Sequence, residues 1–169
     1  MEINKILYTT DLSPNSEYAF GFTVDLAKKY DSKIVILHVF EELPGFTEEF
    51  LALFEMEESE KVANMSIQGR YDKIQDRIKA FYKKELKDEP ESVKRILNVE
   101  VYVGYPAEEI LKKADELACD IIVMGAHGKG VLEYTFLGSI SKKVLRRSKK
   151  PVFIIPLPGS RTNISIDDV

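Results

Sequence analysis

Five short runs rich in isoleucine and valine constrain this chain more than anything else in its 169 residues: Lys5–Thr9, Ile34–Phe40, Val99–Val103, Ile121–Met124 and, directly after Pro151, Val152–Ile155. Three of the five are apolar on both faces. Such a strand has to be covered on both sides, the usual condition of a strand in a parallel sheet. The segments between carry helical signals. Ser13-Pro14 reads as a cap and a first-turn proline, after which Ala19, Phe20, Val24 and Ala27 recur at helical spacing. A second helix opens at Pro106, with Ile110, Leu111, Ala114, Leu117 and Ala118 as its apolar stripe and Glu108 and Glu109 at its positive end. A third is predicted over Ser139–Ser148. Ile140, Val144 and Leu145 are expected to face inward, with Arg146, Arg147, Lys149 and Lys150 at the end where cations favour the dipole. Alternation of this kind specifies an α/β sandwich with right-handed crossovers, and the length suits one domain.

The connection over residues 41–98 is longer than a crossover needs. Ile67, Tyr71, Ile74, Ile78 and Phe81 predict a long amphipathic helix in it, and Glu48–Glu58, with Phe50, Leu51 and Phe54 on one side, a shorter one. The expectation is packing over the sheet edge, with a lid or partner surface as the alternative. The tail Gly159–Val169 has no periodicity and is expected to be poorly ordered.

Composition excludes several functions. A net charge of −4 argues against a general nucleic-acid binder. No apolar run reaches the roughly 18–20 residues that span a bilayer. The start, MEINKILYTTDLS, lacks a secretory pattern, so a cytoplasmic protein is expected. One cysteine, Cys119, can form neither an internal disulfide nor a multi-thiolate metal site, and His38 and His127 leave little for zinc.

The stretch GAHGKGVLEYTFLGSIS, Gly125–Ser141, follows a strand and precedes a helix. In an open parallel sheet this is where ligands bind. Gly125, Gly128 and Gly130 let the backbone pass close to a ligand, and Gly138-Ser139 opens a helix whose N–H groups and dipole attract anions. The two features describe a phosphate cradle with two walls. The spacing is neither the dinucleotide fingerprint G-x-G-x-x-G nor a P-loop, because Val131-Leu132 follow Gly130 where Lys and Ser/Thr would be needed.

Gly125-x2-Gly128-x9-Gly138-Ser139 resembles the ATP-binding signature of the nucleotide-binding branch of the universal stress protein family. The resemblance extends through KILYTTDLS, IVILHVF, VGYPAEEIL, CDIIVMGAHGKG and KKPVFIIP. It implies a Rossmann-like single domain over residues 1–158, with a five-stranded parallel sheet in the order 3-2-1-4-5, helices on both faces, and ATP between the ends of strands one and four. Thr9, Thr10 and Asp11 would line the adenosine end, Asp11 accepting from a ribose hydroxyl or the adenine amine. Val39 would contact adenine. Met124, Gly125, His127, Gly128, Lys129 and Gly130 would wrap the ribose and α-phosphate. Gly138, Ser139 and Ile140 would give backbone N–H groups to the β- and γ-phosphates, Ser139 adding its hydroxyl. Thr9 departs from the family, where proline is common. Mg²⁺ is expected to arrive with ATP, and no protein cage for it is visible.

Individual residues also have blander readings. Asp11 suits helix capping as well as ligand contact. His38 lies in an apolar strand and reads as a satisfied core histidine. His127, between loop residues, suits a phosphate or ribose contact, with no evident partner to orient it as a base. Lys129 suits a phosphate or solvent. Gly104-Tyr105-Pro106 reads as a turn bordering the ligand edge, Cys119 as a buried small residue, and Asp120 as lying on the wrong edge for the site. The expected function is regulatory: ATP binding that signals through conformation or an unknown protein partner, with at most slow hydrolysis. The alternatives are a slow ATPase or nucleotide-transferring enzyme and, last, a nucleotide-free interaction module. The strand Val152–Ile155 would lie at the sheet edge and pair with its copy in a homodimer.

Overall fold

In the computed structural model, residues 2–40, 67–127 and 137–156 are described. The helix expected at Glu48–Glu58 and the tail from Gly159 lie outside them, as do Gly128, Lys129 and Gly130. In chain order the elements are β1 (Lys5–Thr9), α1 (Pro14–Tyr30), β2 (Lys33–Phe40), α2 (Ile67–Glu85), α3 (Pro90–Val93), β3 (Ile96–Val103), α4 (Pro106–Glu116), β4 (Ile121–Gly125), α5 (Ser139–Arg147) and β5 (Val152–Ile155). All four pairings are parallel, in the order β3-β2-β1-β4-β5.

Both faces of the sheet are covered, as its two-sided apolar strands require. On one face Ile6, Tyr8, Ile34 and Ile36 pack with Phe20 and Val24 of α1 and Ile74 and Ile78 of α2. The Phe20 ring lies 5.3 Å from Tyr8 and 5.2 Å from Phe81, joining strand and both helices. On the other face Leu7, Val35, Leu37 and Ile122 meet Ile110 and Ala114 of α4 and Val144 of α5. Each fully buried Val, Leu, Ile or Phe among them contributes about 1.5–3 kcal/mol of transfer free energy. Among the described residues, no helix is long and apolar enough to cross a membrane.

Three expectations need correction. β3 begins at Ile96 rather than Val99, because Asn98 interrupts the apolar run while the backbone continues to pair with β2, across an irregularity between Ile34 and Val35. Ile140 and Leu145 of α5 do not face the core: they are 37% and 48% exposed, whereas Val144 and Ser141 are buried. The short helix presents only a narrow arc inward, and Leu145 lies about 100° round the axis from Val144. The stripe of α4 stops short of Ala118, since the helix ends at Glu116 and Ala118 adopts φ 49°. That left-handed step lets Cys119 N–H donate to the Ala114 carbonyl at 2.9 Å and drops the chain into β4.

An L-residue in this conformation is strained by about 1–2 kcal/mol, and Ala118 is exposed. Ala118→Gly is therefore expected to stabilise the fold by about 1 kcal/mol, after the offsetting gain in unfolded-chain entropy. Urea unfolding of the two proteins measures it.

Candidate functional site

β1 pairs with β2 on one side and β4 on the other. The chain leaves β1 through α1 on one face, and reaches β4 from α4 on the opposite face. The connections diverge there and open a crevice at the carboxyl ends of the strands, the usual ligand position in such sheets.

The first wall is the turn from β1 into α1, fixed by a chain of buried polar contacts. Leu12 takes φ 61°, and its N–H donates to Thr10 Oγ1 at 3.0 Å. Thr10 Oγ1 and Ser16 Oγ lie 2.8 Å apart, and Ser16 Oγ donates to the Ser13 carbonyl at 2.8 Å. Ser13 caps α1 by accepting from Ser16 N–H at 3.4 Å. Asp11 Oδ1 in turn accepts from the Ser13 N–H at 3.1 Å and the Ser13 hydroxyl at 2.5 Å. Tyr8 donates its phenol to the Ser16 carbonyl at 2.5 Å. Burial pushes that phenol well above its ordinary pKa, so it stays protonated as a donor.

The second wall is built where the loop after β4 returns. Gly138 N–H donates to the Ala126 carbonyl at 2.8 Å, Ala126 N–H donates to the Ile155 carbonyl at 2.8 Å, and Ser141 Oγ donates to the Gly125 carbonyl at 3.0 Å. The end of β4 is thus tied to the start of α5. Gly138 is the N-cap of α5 and supplies no side-chain bond. The first bond within the helix runs from Lys142 N–H to the Gly138 carbonyl. The N–H groups of Ser139, Ile140 and Ser141 therefore have no acceptor within the helix, the condition that makes a helix start attract anions.

A single cleft collects most of the predicted residues: Thr9, Thr10 and Asp11 from the first turn, Val39 from β2, Met124, Gly125 and His127 from β4 and beyond, and Ile140 from α5. It holds about 530 Å³ of space outside protein atoms, counted out to its open mouth. Gly138 and Ser139 stand beside it at the helix start rather than in its lining. The Gly138 amide, expected as a phosphate donor, is spent on Ala126, so in this geometry that role falls to the residues after it.

The cleft also contains Pro106, from the turn expected to border the ligand edge, and Ser16, Leu37, Ile110 and Ser141, which the sequence reading missed. Two of these had a signal. Leu37 is two residues before Val39 and shares its face of the strand, and Ser13-x-x-Ser16 is a capping spacing. Ser141 and Ile110 are recognisable only once α4 and α5 are seen to meet at the cleft. Asp120 lies at the opposite edge, where Oδ2 accepts from Asn4 and Lys5 N–H at 2.8 and 2.9 Å. Cys119 is buried at that same edge, and burial pushes its thiol up to about 11. Among the described residues no group of three or more His, Cys, Asp or Glu is placed to hold a metal.

A parallel α/β domain with a helix N-terminus facing the cleft at its switch point is a ligand-binding module suited to anions. The chain belongs to the universal stress protein family, whose model matches residues 2–156. It is 32% identical over 165 residues to universal stress protein MJ0577 of Methanocaldococcus jannaschii, covering 92% of this chain and 96% of that one. The solved structure of MJ0577 superposes with a TM-score of 0.67 and 29% identity over 94% of this chain and 99% of the other. The fold is shared by a universal stress protein solved in complex with cAMP, at TM-score 0.54 and 22% identity over 92% and 98% of the two chains. A universal stress protein of Archaeoglobus fulgidus in complex with dAMP gives 0.51 and 18% over 92% and 99%.

Proposed function

We propose that this protein binds ATP in the cleft between the ends of β1 and β4 and acts as a regulator, passing the bound state to a protein partner. The observation that carries the reading is the uncapped start of α5, held against Gly125 beside a cleft lined by Thr9–Asp11 and Val39. The spacing of Gly125, Gly128, Gly138 and Ser139, and the adenine nucleotides held by two solved relatives, support it. In this reading residues 1–158 form the binding unit. The adenosine end lies toward Thr9, Asp11 and Val39, and the phosphates toward the N–H groups of Ser139 and Ile140, with Lys129 and His127 nearby in the chain. Mg²⁺ would be held by phosphate oxygens and water. Phosphates draw on both α5 and the loop after β4, so the nucleotide state is expected to alter the surface those segments form.

Heat-denatured purified protein is expected to release an adenine nucleotide identified by mass spectrometry, and Mg-ATP at 100 times Kd to stabilise the fold by about 2.7 kcal/mol. Ile140→Asp separates binding from folding. A carboxylate in the first turn of α5 favours the helix dipole but repels phosphate. The variant is expected to keep or raise its melting temperature while Mg-ATP affinity falls at least tenfold. Normal affinity in the variant, or no binding by the parent, would refute the reading.

The same reading includes a homodimer through β5. This strand is at the sheet edge, and Phe153 on it is 40% exposed. An apolar edge of this kind is covered economically by its own copy across a two-fold axis. Light scattering at micromolar concentration is expected to give twice the chain mass of 19.3 kDa; a single-chain mass would contradict the dimer.

A further inference from the structure

His38 stands in an otherwise apolar strand, is 3% exposed, and lies on the face of β2 shared with Ile36 and Phe40. The cleft opens on the opposite face, where Leu37 and Val39 line it. His38 therefore does not reach a ligand there directly. Its Nδ1 lies 2.6 Å from the Thr10 carbonyl oxygen. A carbonyl only accepts, so Nδ1 carries the proton and donates.

The position of that bond matters. β1 pairs with β2 in register up to Thr9 opposite Leu37, and one more rung runs from Thr10 N–H to the Leu37 carbonyl at 3.0 Å. In a parallel ladder the next rung would run from Val39 N–H to the Thr10 carbonyl. His38, one register step on and opposite Thr10, supplies the donor to that carbonyl from its side chain. The chain is thereby free to turn at Asp11, and the Val39 backbone is directed past the end of β1, where the cleft begins.

We infer that His38 is a positioning residue: by donating to the Thr10 carbonyl it ends the β1–β2 ladder at Thr10 and holds the Thr10–Asp11 turn and the Val39 backbone in the shape the cleft requires. This rests on the proposed nucleotide site for its functional meaning. Its physical content, a turn held by an imidazole N–H, stands apart from that. A buried ring with the same contacts but no donor would leave the Thr10 carbonyl short of a partner, and such a group pulls the backbone out of place to find one.

The test compares His38→Leu with His38→Asn. Asparagine places an amide N–H near the position of imidazole Nδ1–H, while both variants lose the edge-to-face contact with Phe40, whose ring centroid is 4.3 Å away. Both are therefore expected to melt at lower temperature. By calorimetry, His38→Leu is expected to bind Mg-ATP at least tenfold more weakly than the parent, and His38→Asn to bind within threefold of it. Equal affinity in all three, or losses that follow melting temperature rather than the donor, would overturn the inference. Should His38→Leu not fold, His38→Gln replaces it, since its amide lies one bond further out. A parent that binds no nucleotide would sink the functional reading but not this one. Hydrogen exchange in the nucleotide-free proteins then decides: at least tenfold faster exchange at the Leu12 amide in His38→Leu, restored in His38→Asn, supports it, and unchanged exchange contradicts it.

Discussion

The parallel pairing of β1 with both β2 and β4 is the constraint on which the rest of this molecule depends. A strand buried on both faces needs helices above and below. Right-handed crossovers then send the chain to one face on the β2 side and bring it from the other on the β4 side. The crevice at the strand ends follows from that geometry alone. No side chain has to create it; the side chains at the strand ends shape its walls.

The cleft is shaped by polar contacts that contribute little to stability and much to geometry. Each hydrogen bond among Thr10, Ser13 and Ser16 has a net value of about 1 kcal/mol, less than one fully buried isoleucine. Leaving any of these buried groups unpartnered would cost about 1–3 kcal/mol, so the turn has few alternatives. The same reasoning applies to the second wall, where Ser141 and Gly138 tie α5 to the end of β4. Apolar packing makes the domain stable; the hydroxyls and carbonyls at the strand ends determine where its amides point.

This division explains what could be read without coordinates. Strand content was legible because Ile and Val cluster where both faces are buried: β1 and β5 have the bounds the residue pattern indicates. The strand order and the cleft followed from resemblance joined to topology. The start of β3 was hidden by Asn98, a polar residue on the half-buried surface of that edge strand. Leu145 looked like core because spacing does not reveal how narrow the inward arc of a nine-residue helix is. His38 read correctly as buried, but its bond to Thr10 joins two strands 28 residues apart, and no local pattern records it. Ser141 escaped for a similar reason, since its acceptor lies 16 residues earlier.

The central claim is that the amides at the start of α5 and the residues lining the cleft at the ends of β1 and β2 meet one ligand. Amide shifts in ¹⁵N-labelled protein titrated with Mg-ATP test it most directly. The account predicts the largest changes at Thr10, Asp11, Val39, Ser139, Ile140 and Ser141, saturating together with one dissociation constant. Changes confined to the opposite edge, around Asn4, Lys33 and Asp120, or no changes at all, would contradict it.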